Sequence, residues 1–213
     1  MLITSKRYTG FTLAEVLITL SIIGVVAALT IPGLVRNFQE AQWKATAKKT
    51  YSELVQATKL LSIENGGNFI SAFKIDGTSN SSTFRNKYCT SLKCLIKGIA
   101  GGECWHTSTT FYRLDGDAIG YGWGPCAILS DGTFITFYFN SDDCTTNEGG
   151  GIYVCGRITF DVNGFKGPNV CGRDIFNAYV TKNGLIPGGV NTSDNCTTQG
   201  LGCMVKVLKN EDY

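Results

Sequence analysis

Residues 6–34 read KRYTGFTLAEVLITLSIIGVVAALTIPGL, an apolar run that contains a single carboxylate, Glu15. A charged side chain at membrane depth costs about 3 kcal/mol on the lower published scales. The twenty residues that follow Glu15 carry no further charge. Glu15 therefore needs a compensating partner, and the identity of that partner separates the possible functions of the chain.

The apolar run is long enough to cross a membrane. Residues 11–35 cover the roughly 20 residues that a helix needs to span a hydrocarbon core of about 30 Å. Lys6 and Arg7 precede the run, and the positive-inside rule then keeps the N-terminus in the cytoplasm. The sequence predicts a single-pass membrane helix that sends the C-terminal region across the membrane.

Three interpretations of this segment compete. A secretory signal peptide would end at the small residues Val26-Ala27-Ala28, and a plain anchor would stay uncut, but neither has a use for Glu15. Cleavage between Gly10 and Phe11 would instead create an α-amine that can meet Glu15 of an adjacent copy. An ammonium and a carboxylate attract strongly in a low dielectric, whereas either one buried alone is penalised. The pair would act as a register device in an ordered assembly.

The segment resembles the class III signal of type IV pilins and type II secretion pseudopilins. The family pattern has a basic leader ending in glycine, then Phe-Thr-Leu-x-Glu and an apolar helix. Its elements in this chain are Lys6, Arg7, Gly10, Phe11, Thr12, Leu13 and Glu15. The resemblance implies that a prepilin peptidase cuts after Gly10 and methylates the Phe11 amine, and that Glu15 acts in methylation and filament assembly. Leu13 and Pro32 are further candidate assembly residues.

The resemblance also implies partners and a location. Other pilin or pseudopilin subunits and an inner-membrane assembly platform would be partners. The chain would sit in the bacterial inner membrane with its C-terminus extracytoplasmic, and later in a periplasmic or extracellular filament. No nucleic acid is expected as a partner, because a net charge of +2 over 213 residues creates no global basic field.

The helical pattern continues beyond the membrane segment. Apolar residues recur at three- and four-residue steps from Phe38 to Leu61, and Asn65-Gly66-Gly67 ends the pattern. A helix of about 80 Å is therefore predicted from about Thr12 to Glu64. Pro32-Gly33 interrupts it, because proline removes a backbone hydrogen bond and clashes with the preceding turn. We expect a bent or extensible segment at Gly24 to Pro32; a membrane-exit kink without further purpose is the competing explanation.

The remaining residues predict a β-rich head. Short β-type runs lie between turn signals, with a hairpin at 126–139 around Asp131-Gly132 and strands at 152–164 and 173–184. An antiparallel sheet packed on the long helix satisfies these runs, giving an α+β, pilin-like fold. Residues 203–213 form either a short helix or an edge strand.

These patterns divide the chain into four predicted segments. They are a leader at 1–10, a membrane or filament-core helix at 11–35, its amphipathic continuation at 36–65, and the globular head at 66–213.

All nine cysteines lie in the head, and none shows the C-x-x-C spacing of a zinc ribbon or a thioredoxin-like site. They are Cys89, Cys94, Cys104, Cys126, Cys144, Cys155, Cys171, Cys196 and Cys203. Cysteines beyond a membrane-targeting segment indicate disulfides in an oxidising compartment, and buried reduced thiols are the alternative. Nine is an odd number, so one thiol stays unpaired or joins another chain. Cys196 and Cys203 are close enough in sequence to close a small loop.

One head segment invites a chemical interpretation. In DVNGFKGPNVCGRD, residues 161–174, Asp161, Asn163 and Asp174 offer hard oxygen ligands to Ca²⁺. The string lacks the bidentate Glu and the spacing of an EF-hand, and a turn-rich loop capped by Asp and Asn is the alternative. The same string recurs in bacterial pilin-like proteins, which supports the family resemblance and not the metal.

No catalytic set is visible. His106 is the only histidine, and the phosphate-cradling pattern G-x-x-x-x-G-K-[ST] does not occur. We therefore expect a structural subunit and not an enzyme, with no cofactor other than a possible Ca²⁺. The expected function is that of a type IV pilus or type II secretion pseudopilus subunit. The alternative is a membrane-tethered or secreted binding protein with a Cys-rich β head.

Overall fold

The computed structural model describes residues 10–75, 78–79, 81–98, 104, 110–119, 124–140, 142–190 and 195–213. The chain separates into two compact units, Met1–Ala41 and Gln42–Tyr213. The boundary between them lies inside one helix, α1, which covers Leu13–Glu64. The second unit is called the head unit below. The division into four segments stays a prediction.

Helix α1 ends where the glycines predict. The Gly67 N–H donates to the Ser62 carbonyl at 2.8 Å, and Gly66 and Gly67 have φ angles of +65° and +89°. Such left-handed residues close helix C-termini. Within the head unit α1 buries one face, whose members recur every three or four residues: Ala47, Thr50, Leu54, Ala57, Thr58 and Leu61. This face packs in the main core of the head unit.

The head unit contains twelve strands in the part of the chain that the structure describes. They are β1 (Lys74–Ile75), β2 (Thr78–Ser79), β3 (Ile96–Gly98), β4 (Phe111–Tyr112), β5 (Ala118–Ile119), β6 (Cys126–Ile128), β7 (Phe134–Phe139), β8 (Thr146–Asn147), β9 (Tyr153–Val154), β10 (Gly156–Asp161), β11 (Ile175–Thr181) and β12 (Gly184–Pro187). Six of them form an antiparallel sheet in the order β12-β11-β10-β7-β6-β3. The pairs β1–β2, β4–β5 and β8–β9 stand outside it.

Further helical elements of the head unit lie in the part of the chain that the structure describes. A 3₁₀ helix covers Phe69–Phe73, helix α2 covers Ser81–Leu92 and helix α3 covers Cys203–Lys209. The predicted α+β fold with a long N-terminal helix and an antiparallel sheet is confirmed. Residues 203–209 are helical, which decides between the two predictions for the C-terminus. The sequence interpretation missed α2, whose apolar residues are too few to mark a helical period.

An aromatic cluster forms the centre of the head core. Phe73 from the 3₁₀ helix, Phe84 and Tyr88 from α2, and Phe137 and Phe139 from β7 contact one another with ring centroids 4.8–6.2 Å apart. Aromatic pairs at such distances add about 0.5–1.5 kcal/mol each beyond their burial. Because α2 contributes two of the five rings, it is part of the core and not a surface addition.

Four disulfides link the cysteines. The pairs are Cys89–Cys94, Cys104–Cys126, Cys144–Cys155 and Cys196–Cys203. Cys171 is the remaining cysteine and is buried with a free thiol. Two of the bridges, Cys104–Cys126 and Cys144–Cys155, close loops of the chain that lead into sheet strands.

Candidate functional site in the N-terminal segment

Gly10 and Phe11 lie at the start of the described chain, ahead of the helix. Both are exposed, and Phe11 is 89 % exposed. Helix α1 begins at Leu13, so the bond between Gly10 and Phe11 stands outside helical structure. A peptide bond that is exposed and not helical can enter an extended protease site without unfolding a helix. The predicted leader residues Lys6 and Arg7 lie outside the described residues.

Thr12 and Glu15 form a reciprocal cap at the first turn of α1. The Glu15 N–H donates to Thr12 Oγ1 at 3.3 Å, and the Thr12 N–H donates to Glu15 Oε2 at 2.8 Å. The Thr12 hydroxyl also donates to Glu15 Oε2 at 2.8 Å. This is the capping box, in which a Thr at the N-cap and a Glu three residues later satisfy each other's backbone N–H groups.

The cap changes the account of Glu15 that the sequence suggested. The carboxylate has hydrogen-bond partners in its own chain, so a single subunit already gives it a role. The signal for this role is the spacing Thr-x-x-Glu directly before an apolar run, which predicts a capping box from sequence alone. The cost of burying the Glu15 charge does not by itself reveal Thr12 as its local partner.

The rest of the segment presents an apolar surface. Among the described residues α1 is the one helix long and apolar enough to cross a membrane, and no residue of its apolar window is buried. Its hydroxyl side chains are turned onto their own helix: Thr19, Ser21 and Thr30 donate to carbonyls three or four residues earlier at 2.8–3.0 Å. Such bonds satisfy these three hydroxyl donors within the helix, as an apolar environment requires.

Pro32 lies inside α1, and the helix is continuous through it. The predicted interruption at Pro32-Gly33 is absent from this single chain. Proline removes one N–H donor, which leaves the Ala28 carbonyl without its usual helical partner, but the flanking turns keep theirs. A bend or extension between Gly24 and Pro32 in an assembled state stays a prediction.

A secretory signal near an N-terminus also has an apolar helix, so the helix alone does not identify this segment. The residues at the start of the segment decide which kind of signal it is. Residues 5–31 match the model of the prokaryotic N-terminal methylation motif. This chain carries the prepilin-type signal of type IV pilins and pseudopilins. No curated protein matches the chain. No solved structure matches it either.

The prepilin-type signal has direct consequences. It is the signal of precursors of the pilin or pseudopilin type, and the family that shares the motif is structural and not catalytic. In general terms it implies assembly with other pilin subunits and processing by a prepilin peptidase. The apolar helix behind the signal fits anchoring in a membrane. His106, the only histidine, lies outside the described residues.

A second candidate site lies in the prepilin-type chain's head unit, in the loop between β10 and β11. The structure brings Asp161, Asn163 and Asp174 together there. Asp174 Oδ1 accepts from the Val170 N–H at 2.7 Å, and Oδ2 accepts from the Asn169 N–H at 2.8 Å and from Asn163 Nδ2 at 3.2 Å. Asp161 Oδ1 accepts from the Asn163 N–H at 3.2 Å. The two carboxylates therefore fasten the loop by hydrogen bonds.

Burial controls the charge of this pair. It raises the pKa of Asp161 to about 8, with a further contribution from the neighbouring Asp174 carboxylate. It also raises the pKa of Asp174, against the N–H donors around that carboxylate, which lower it. Burial thus favours the neutral form of Asp161, and at Asp174 the N–H donors partly offset the same effect.

The oxygen atoms of this loop give one argument for a bound Ca²⁺ and one against it. The side-chain oxygens of Asn163 and Asn169 are buried without hydrogen-bond partners, as uncoordinated oxygen ligands would be. However, N–H donors already occupy both oxygens of Asp174. No group of three or more His, Cys, Asp or Glu side chains suited to a metal occurs among the described residues. Calcium at this loop stays a prediction.

Proposed function

We propose that the chain is cut between Gly10 and Phe11, methylated on the new α-amine, and polymerised through α1 into a type IV pilus or a type II secretion pseudopilus. The observation that carries this proposal is the prepilin-type signal at residues 5–31 with Gly10 and Phe11 exposed before the helix. The partners are a prepilin peptidase, an inner-membrane assembly platform and further pilin-like subunits.

The chemistry of processing leaves a cation at the start of the helix. Hydrolysis adds water across the Gly10–Phe11 peptide bond, which frees the Gly10 carboxylate and the Phe11 α-amine. Methylation replaces one N–H of that amine with N–CH₃ and needs an external methyl donor. The product remains protonated at neutral pH, because an α-amine has a pKa near 8. The mature chain thus begins with a positive charge next to the Thr12–Glu15 cap.

Glu15 then has two roles that do not exclude each other. Its Oε2 atom accepts the hydrogen bonds of its own cap, and a carboxylate has about four lone-pair positions. The remaining positions can accept the Phe11 ammonium of a neighbouring copy. In a low dielectric this pair is strongly attractive only when the neighbour sits at the correct axial stagger. The exposed apolar surface of α1 supplies the contact area for such a neighbour.

One observation favours a second candidate. The capping box gives Glu15 a use in a lone chain, so a membrane-tethered extracytoplasmic binding protein with a Cys-rich head also accounts for the carboxylate. This candidate needs no cleavage after Gly10 and no neighbour. It differs from the filament proposal in what it requires of Glu15, namely the cap alone and not the charge.

Two matched substitutions separate the candidates. Glu15→Gln keeps a side chain that can cap the helix but removes the charge, because Gln serves in capping boxes as Glu does. Thr12→Ala removes the cap and keeps the charge. In cells that contain the processing and assembly machinery, we expect Glu15→Gln to be inserted in the membrane and to be lost from the filament fraction. Filaments from Glu15→Gln at the wild-type level would contradict the role of the charge and favour the tethered protein.

A further inference from the structure

We infer that residues 210–213 form a releasable strap that holds the first turns of α1 on the head unit, and that Tyr213 closes this strap. The head unit begins at Gln42. When the strap opens, the turns from Gln42 to Lys48 leave the head, and the part of α1 that the head does not hold becomes about 10 Å longer at 1.5 Å per residue. The strap belongs to a single chain and does not depend on the proposed polymerisation.

The strap starts where the chain turns at the end of α3. Asn210 has a φ angle of +58°, and its N–H donates to the Lys206 and Val207 carbonyls. The Glu211 N–H donates to the Lys206 carbonyl at 3.0 Å. A left-handed residue of this kind closes a helix C-terminus. Lys206 Nζ also donates to the Asp212 carbonyl at 3.4 Å, which holds the following residues beside α3.

Two lysines of α1 contact the strap. The Lys48 ammonium donates to Asn210 Oδ1, and the Lys44 ammonium lies over the Tyr213 ring, 4.5 Å from its centre. Lys44 and Lys48 are four residues apart and therefore share one face of α1. Like charges at this spacing destabilise an isolated helix, and the strap supplies a partner for each of them. The strap therefore stabilises the turn of α1 that contains both lysines.

Tyr213 connects α1 to a second part of the head. Its ring packs against the main core, and its hydroxyl donates to the Gly172 carbonyl at 2.8 Å. Gly172 lies in the loop between β10 and β11. A Cβ atom at Gly172 would lie 2.6 Å from Cys203 Sγ, so this part of the loop is close-packed against the first residue of α3. The hydroxyl is therefore held by a well-packed segment, and one side chain joins that segment to Lys44.

The strap is weaker than the core to which it attaches. Asn210, Glu211 and Asp212 are exposed, and residues 211–213 belong to neither a helix nor a strand. Leu54 and Leu61, further along α1, are buried. Segments with few buried apolar contacts open at a lower free energy than the core does. We therefore expect the strap to open while the core of the head stays folded.

The apolar anchor of the turns that the strap holds is small. Trp43 packs against the main core but keeps part of its surface exposed, and Ala47 is fully buried. The free energy of burial follows the apolar area removed from water, and an alanine contributes little of it. Lys44, the first residue of α1 that contacts the strap, lies two positions after the start of the head unit at Gln42. The strap thus acts where α1 is least firmly held by apolar packing within the head unit.

The direct test is hydrogen–deuterium exchange of the full, detergent-solubilised chain, measured by mass spectrometry on peptides from α1. A helix that loses its tertiary contacts is marginal in water, so opening of the strap raises the amide exchange rate of the turns that it holds. We expect Tyr213→Ala to raise the rate over residues 44–50 by about tenfold, because it removes the ring contact, the hydrogen bond and the packing together. Residues 54–61 should keep the wild-type rate.

Matched variants separate the contributions of the ring and the hydroxyl. Tyr213→Phe keeps the ring under Lys44 and loses the bond to Gly172, so it should raise the rate over residues 44–50 by about threefold. Lys44→Gln should raise it by about two- to fivefold, the factor expected for one exposed cation–π contact. Lys44→Arg should keep the wild-type rate, because a guanidinium also stacks on an aromatic face. The control is Tyr153→Ala, which removes a tyrosine that is 56 % exposed outside the strap and should have no effect.

Two results would overturn the strap. Unchanged exchange over residues 44–50 in Tyr213→Ala would show that the strap does not hold these turns. An equal rise over residues 44–50 and 54–61 would assign Tyr213 to the global stability of the head. Neither measurement uses a peptidase or a filament, so each outcome is reached whether or not the chain polymerises.

Discussion

Two leucines of α1 show how the two units of this chain differ. Leu29 in the N-terminal segment is 78 % exposed, whereas Leu54, on the same helix within the head unit, is fully buried. The head unit satisfies its apolar surface with its own strands, rings and disulfides. In the N-terminal segment, by contrast, the apolar window of α1 has no buried residue. This apolar surface suits a membrane or contact with other subunits, whereas the head unit buries a core of its own.

The comparison predicts the largest contrast for truncations of apolar side chains. Phe84→Ala should lower the free energy of unfolding of the head by about 3–5 kcal/mol, because it opens a cavity among the core rings. Leu29→Ala should change it by less than about 0.5 kcal/mol. Urea titration of the detergent-solubilised chain, followed by near-UV circular dichroism, measures both. Equal effects would show that the two regions are not independent in stability.

The disulfides give the next largest effect, and again only in the head. Removing the Cys104–Cys126 bridge with Cys104→Ala/Cys126→Ala frees a loop with a sequence separation of 22 residues. The loss of loop-closure constraint is worth about 3 kcal/mol. The control is Cys171→Ala, which removes a buried free thiol and no bridge. The same titration should rank the double variant well below the control, and an equal loss in both would argue against the Cys104–Cys126 pairing.

Asp161 provides a pH-dependent test of the β10–β11 loop. In the unfolded chain Asp161 ionises near pH 3.8, and in the folded chain its pKa is about 8. The folded state therefore binds the extra proton between these values, so this group makes the free energy of unfolding fall as pH rises from about 4 to about 8. Asp161→Asn removes that fall. As pH rises, the free energy of unfolding of the variant should therefore increase relative to that of the wild type, by at least about 1.4 kcal/mol, the value of one pKa unit.

The measurement is urea unfolding of both proteins at pH 5 and pH 8, with the exposed Asp117→Asn as the control. A difference in the free energy of unfolding between Asp161→Asn and wild type that does not grow with pH would contradict a buried protonated Asp161.

The same two proteins also test whether the loop binds calcium. Coordination by Asp161 would raise the melting temperature of the wild type on addition of Ca²⁺ and leave Asp161→Asn unchanged, and no shift in either would leave hydrogen bonds as the full account of the loop.

The smallest effect is expected for the ion pair between α1 and the β6–β7 turn. Lys49 Nζ lies 2.8 Å from Asp131 Oδ2. The hydrogen bond to Asp131 raises the pKa of Lys49. Partial burial raises the pKa of Asp131, but Lys49 and the Thr133 N–H outweigh it and hold this pKa below its usual value. Lys49→Met should cost about 0.5–1 kcal/mol, since partly exposed pairs contribute little. The cost should shrink as Asp131 is protonated toward low pH and should also shrink in high salt. A cost that is independent of both would assign it to packing of the lysine stem.

The two units also differ in how much of their structure could be predicted from the sequence. The N-terminal segment was predictable because its signals are local: a basic leader, a glycine, a carboxylate and an apolar run. The turns at Asp131-Gly132 and Asn183-Gly184 were predictable for the same reason, since turn residues act within four positions. The capping box of Thr12 and Glu15 was also local, and it was missed only because the charge of Glu15 was considered without its neighbours.

The remaining features depend on contacts between distant residues. Helix α2 has a weak apolar period, and it is stabilised by the packing of Phe84 and Tyr88 against β7, which no short window contains. The pairing of Cys104 with Cys126 likewise needs the tertiary fold, since nine cysteines allow many pairings. The hydrogen bonds that Asp174 accepts depend on how the chain folds between β10 and β11, which the residue types in the loop do not reveal.

The central claim is that this chain is a filament subunit with a processed N-terminus. It is tested most directly by the intact mass and N-terminal sequence of the protein recovered from membranes that contain its own peptidase. The account predicts a chain that begins at Phe11 and carries one added methyl group on its α-amine. A chain that begins after Ala28, or that still begins at Met1, would contradict it.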